Sequence, residues 1–106
     1  MVKPFPKAIK VGPVTYTTEV VDGLSDTNNI ALWGRCDHDT LVLSVAKKVD
    51  LQFQKIVLLH EILHAVYHLS GLPDPCNEEQ MITSISPLLV LLMRDNPKLL
   101  EYLCEK

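Results

Sequence analysis

A chain of 106 residues has room for one domain around a single core and none for a separate substrate-binding lobe. Its composition, 47% hydrophobic and 22% charged, is that of an ordinary folded globular protein rather than a disordered one. A net charge of −3 with no clustered Lys/Arg stripe excludes nucleic acid as a main partner.

Residues 1–10 carry two prolines and three lysines and read as a flexible arm. They show neither the apolar stretch nor the small-residue cleavage site of a signal peptide. "VTYTTEVV" is rich in β-branched residues and reads as a strand closed by the turn signal "DGLSDTNN". "IALWGR" and "LVLSVA" are two further strands, with the polar "CDHD" between them as a hairpin connection. The first half therefore predicts a small antiparallel sheet.

Asp50 is a good N-cap, and no Pro or Gly interrupts the chain from there until Gly71, which suits a C′ position. Residues 51–70 thus predict a helix, apolar nearly all round and hence buried. A second helix opens at Asn77, where N-x-x-Q to Gln80 resembles a capping box; Pro87 is expected to kink or split it. Asn96 as N-cap and Pro97 at N1 start a last short helix running to about Leu103. Strands first and helices after make the class α+β. The two most apolar runs, "IVLLHEILHAVYHL" and "ISPLLVLLM", are too short or too interrupted to span roughly 30 Å of hydrocarbon, so no membrane partner is expected. Cys36, Cys76 and Cys104, odd in number and without C-x-x-C spacing, predict free thiols in a reducing cytosol.

The long helix holds "LHEILHAVYH". His60 and His64, four apart, lie one above the other on one helix face and can reach a single ion, as a tetrahedral zinc site requires. Glu61 sits about 100° round the helix from His60, beside the ion, placed to act as general base. The spacing is that of H-E-x-x-H, and zinc coordination would offset the cost of burying the two imidazoles. A bound zinc ion acidifies water to a pKa of about 7 and polarises a carbonyl oxygen. His68 lies ~12 Å along the axis from His60 and reads as a structural or cleft-edge histidine.

A catalytic zinc site takes three protein ligands. Glu78 and Glu79, in the first turn of the second helix, are the downstream candidates. If Ile82, Ile85 and Leu89 form the buried stripe, Glu79 shares their face and is preferred over Glu78. Cys36, Asp37 or His38 of the "CDHD" turn are the upstream alternatives.

With "LLHEILHAVYH", "NEEQMITSIS" opening the following helix and "LWGRCDHDTLVLSVA" before the motif, the chain resembles short, phage- or prophage-associated members of the ImmA/IrrE-type zinc metallopeptidases. The resemblance covers residues 28–104 loosely, and only the motif helix is specific. It implies a minimal zincin-like, gluzincin-like core, Zn²⁺ as cofactor, and an intracellular protein or peptide as substrate in the cytoplasm of a bacterial host, with a regulatory protein among the candidates. It also implies a glutamate ligand on the helix after the motif, for which "EQMI" from Glu79 is the nearest match, with Ile82 where a small residue is usual. An extended substrate is expected to add to the strand "LVLSVA". The alternative function is a non-enzymatic, metal-stabilised phage accessory protein that binds or inhibits a host protein.

Overall fold

The computed structural model describes residues 3–106. Ile9 and Val11 alternate inward on a short strand, β1 (Ala8–Val11), which turns through Gly12 at φ 55° into β2 (Val14–Val21). The two pair antiparallel, Ile9 opposite Tyr16, and all three side chains are fully buried. This corrects the expected flexible arm over residues 1–10, whose first two positions lie outside the described residues. From Lys3 onward the segment is packed: Phe5 meets Tyr102 edge to face with ring centroids 5.3 Å apart, and the Lys3 amide donates to Glu105 at 2.6 Å. A four-residue strand with Lys7 before it and Lys10 within it is too short for its alternation to stand out.

β3 (Gly34–Asp37) and β4 (Val42–Ala46) form the expected hairpin, though β3 begins four residues later than "IALWGR" suggests. Asp37 fixes the turn, its Oδ1 accepting from the Asp39 and Thr40 amides at 3.0 and 3.1 Å. The sheet order is β1-β2-β4-β3, and β4 runs parallel to β2 and antiparallel to β3. The sheet is therefore mixed rather than antiparallel. β4 is one of its two inner strands, with Leu43, Ser44, Val45 and Ala46 all buried, which is why "LVLSVA" reads as a nearly continuous apolar run. Lying between two neighbours, it has no free edge for a substrate; the edge strands of the sheet are β1 and β3.

α1 (Leu51–Ser70) keeps its expected bounds, with the Asp50 carboxylate accepting from the Gln52 amide at 2.9 Å and Gly71 closing it at φ 70°. It lays Val57, Leu58, Ile62, Ala65 and Val66 on the sheet. It is not buried all round: Ile56, Leu59 and Leu63 face outward because the sheet covers only one side of the helix. α2 (Glu78–Asp95) starts with the full Asn77–Gln80 capping box and continues unbroken through Pro87. Its inward stripe is Ile85, Leu88, Leu89 and Leu92, whereas Ile82 is 51% exposed because the first turns of α2 lie beyond the core. No helix among the described residues is long and apolar enough to cross a membrane.

α3 (Pro97–Cys104) has Pro97 at N1, but the Asn96 side chain does not cap it. Asn96 instead accepts from the Lys10 amide and donates to the carbonyls of Lys10 and Leu92, each at 2.8 Å. It thus ties β1 to the α2–α3 corner from a buried position. Asn96→Ala leaves both backbone groups of Lys10 without this partner and is expected to cost about 2–3 kcal/mol in urea unfolding. A loss below about 0.5 kcal/mol would show that water replaces the bridge.

Candidate metal centre

Successive turns of α1 bring His60 and His64 together, Nε2 to Nε2 at 3.1 Å, with ring centroids 4.8 Å apart. Two nitrogens on one tetrahedral zinc ion stand about 3.3 Å apart, from bonds of about 2.0–2.1 Å. The pair therefore fits a shared cation, and equally fits one hydrogen bond between imidazoles of opposite tautomer. Both rings are exposed, as is His68, so the expected burial cost of the histidines does not arise. The buried titratable group is Glu61, at 8% exposure. Burial raises its carboxyl pKa, and the neighbouring His60 and His64 pull it partly back.

Room for Glu61 comes from Gly34 on β3. A Cβ there would meet Val57 Cγ1 at 2.7 Å and Glu61 Oε2 at 3.0 Å. The glycine serves close approach between strand and helix, and a lone Gly inside a strand pattern is the sequence signal for it. Gly34→Ala is expected to destabilise the fold by about 1–3 kcal/mol through overpacking, measured as a lowered thermal midpoint. Adding Val57→Ala should recover part of the loss; no recovery would place the strain elsewhere.

Glu79 is not brought to the histidine pair. It lines a depression with Ser70, Gly71 and Leu72, beyond the C-terminal end of α1, and accepts from Thr83 Oγ1 at 3.3 Å. The stripe that favoured it over Glu78 begins at Ile85 rather than Ile82, so both glutamates sit in an exposed first turn. Among the described residues no three His, Cys, Asp or Glu side chains converge on one ion position.

The side chains that share a cavity with His60, Glu61 and His64 are Cys36 and His38, together with Arg35. Cys36 is a protonated thiol, its pKa pushed up to about 11 by burial and by the Glu61 and Asp37 carboxylates. The Asp37 carboxylate is engaged in its own turn, whose amides hold its pKa low. His38 is fixed from two sides. Tyr16 Oη lies 3.1 Å from its Nδ1, and His68 stacks on its ring at 3.9 Å with planes 9° apart. Burial, then the positive charge that His68 and His64 can carry, lowers its pKa. A phenol that donates to Nδ1 leaves the ring proton on Nε2. Tyr67, by contrast, turns its hydroxyl toward Cys76, 3.8 Å away.

All four histidines of the chain are thus linked in two pairs, one coaxial on α1 and one joining the β3–β4 turn to the end of that helix. The links of His38 to Tyr16 and His68 join distant segments and carry no local spacing that a sequence could reveal. Comparison with protein-family models, with curated proteins and with solved structures returned no match to the chain.

Proposed function

We propose that this chain is a zinc-dependent metallopeptidase of the ImmA/IrrE type, cutting peptide bonds of an intracellular protein substrate. The observation that carries the reading is the 3.1 Å approach of the His60 and His64 Nε2 atoms with the buried Glu61 carboxylate on the adjoining helical position. When bound, zinc supplies Lewis-acid polarisation of the substrate carbonyl and acidification of water. His60 and His64 would hold the ion; Glu79, in its separate depression, is not part of this arrangement. Glu61 takes the proton of the attacking water on a carboxylate oxygen and passes it to the leaving amide nitrogen. Burial raises its pKa, which favours its taking up a proton. With Tyr16 donating to its Nδ1, His38 would present Nε2–H as a donor for the carbonyl oxygen as it gains negative charge.

Elemental mass spectrometry of the purified chain, before and after zinc reconstitution, tests the reading. The expected result is close to one zinc per chain, with peptide hydrolysis that 1,10-phenanthroline removes and added zinc restores. A chain that takes up no zinc under either condition is not a zinc peptidase.

A further inference from the structure

α2 meets the rest of the fold along one stripe, and of its 18 residues Leu92 alone is fully buried. At about 100° per residue, Glu79, Ile82, Thr83, Ser86, Val90 and Met93 share a second face. All six are exposed, Val90 to 46% and Met93 to 54%. No charged side chain occurs from Gln80 through Met93, so about 20 Å of helix surface lacks the charges that ordinarily keep an outward face solvated. The charges stand at its two ends. Glu79, at the amino end, lies in the depression of about 430 Å³ that it shares with Gly71, Leu72 and Thr83, and among the described residues it is the only charged group there. Thr83 Oγ1 donates to one of its oxygens at 3.3 Å, which leaves the other for an incoming donor. Arg94 is exposed at the carboxyl end, on the flank of the same face. Among the described residues neither Glu79 nor Arg94 enters an ion pair within the chain.

We infer that this face pairs with a second copy of the chain, α2 against α2, antiparallel about a two-fold axis at Ser86 and Pro87, each Arg94 entering the Glu79 depression of the partner. The occupant follows from the spacing of the charges. Glu79 lies seven residues before Ser86 and Arg94 seven residues after Pro87, so an antiparallel axis between them brings opposite charges together twice. The same axis sets Thr83 against the partner's Val90 and Ile82 against the partner's Leu91, which keeps the uncharged stretch on itself. Parallel pairing would instead set like charges opposite each other at both ends. A guanidinium suits the depression because its planar fork can give a carboxylate two N–H bonds in one geometry. Ser86, small and at the axis, lets the two helices approach closely. The contact is one helix wide, so a dissociation constant in the micromolar range is expected rather than an obligate dimer. The inference is independent of the peptidase reading, since neither histidine of the candidate centre lies on α2.

Sedimentation equilibrium of the full chain from about 1 to 100 µM, a range that brackets a micromolar dimer, tests the pairing. The parent should approach the mass of two chains at the upper end. Val90→Asp, which puts a charge in the uncharged stretch, should weaken association at least tenfold. Glu79→Arg and Arg94→Glu should each do the same, because each sets like charges together at both ends. Both exchanges in one chain should restore the dimer to within a few-fold of the parent, since opposite charges meet again. The three positions are exposed, and far-ultraviolet circular dichroism checks that every variant folds. A parent that stays monomeric across the range overturns the inference; if that monomer floats with phosphatidylcholine vesicles, the face belongs to a lipid surface instead. A dimer indifferent to Val90→Asp uses another face. A dimer that the single charge changes weaken and the double exchange does not restore is paired in another register. Either result overturns the inference, and none of them bears on zinc uptake, which alone decides the peptidase reading.

Discussion

His64→Ala is expected to strip the protein of zinc, lowering its affinity by well over a hundredfold. The two α1 imidazoles are the proposed ligands that the backbone itself aligns, and their 3.1 Å separation depends on both rings being present. Loss of partners one step removed from a metal already costs about 10–100-fold, so loss of a direct ligand should cost more. The fold should be indifferent, because His64 is exposed and alanine is a better helix former in the middle of α1. Elemental mass spectrometry and far-ultraviolet circular dichroism separate the two effects. His68→Ala is the control: His68 stacks on His38 rather than joining the pair, so its variant should keep the metal. Equal zinc in His64→Ala and parent would mean that the ion sits elsewhere.

Glu61→Gln should keep the zinc and lose about 10²–10⁴-fold in peptide hydrolysis. The amide preserves the shape that fits beneath Gly34 and against Val57 but cannot take a proton from water. The loss is expected in kcat, with binding of substrate little changed, because the exchanged group moves a proton during bond cleavage and does not hold the substrate. Full activity in this variant would assign the proton transfer to another group and leave Glu61 a packing role. Together the two substitutions would divide the proposed site into a part that holds the ion and a part that uses it.

The segments legible in the sequence were those whose signals are local. Asp50 and Gly71 bracket α1, Asn77 and Gln80 open α2, and Pro97 opens α3; each acts on backbone groups within a turn of itself. The H-E-x-x-H spacing belongs to the same class, since four residues on a helix fix the approach of two side chains without help from the rest of the fold. The placement of β4 between β2 and β3 was not legible, because a buried inner strand and a hairpin partner share one apolar pattern. The outward face of α1 was misread for a related reason: Ile56, Leu59 and Leu63 look like core residues unless the number of covering layers is known. The same gap misplaced the stripe of α2, and with it the argument for Glu79. His38 gains its position from Tyr16, 22 residues upstream, and from His68, on the last turn of α1. Neither partner lies within reach of a local rule.

The corner made by Asn96 bears on the order in which this protein can be built. Its hydrogen bonds to Lys10 join positions 86 apart in the chain, so β1 waits for the α2–α3 corner before the Lys10 amide and carbonyl have this partner. In the interval the apolar side of β1, Ile9 and Val11, has only part of its final cover. Parallel pairing of β2 with β4 is likewise non-local, and such contacts are slow because chain closure must precede the gain. Folding of β1 thereby waits on the α2–α3 corner, and a chain in which that corner is not yet made is the form most in need of a chaperone.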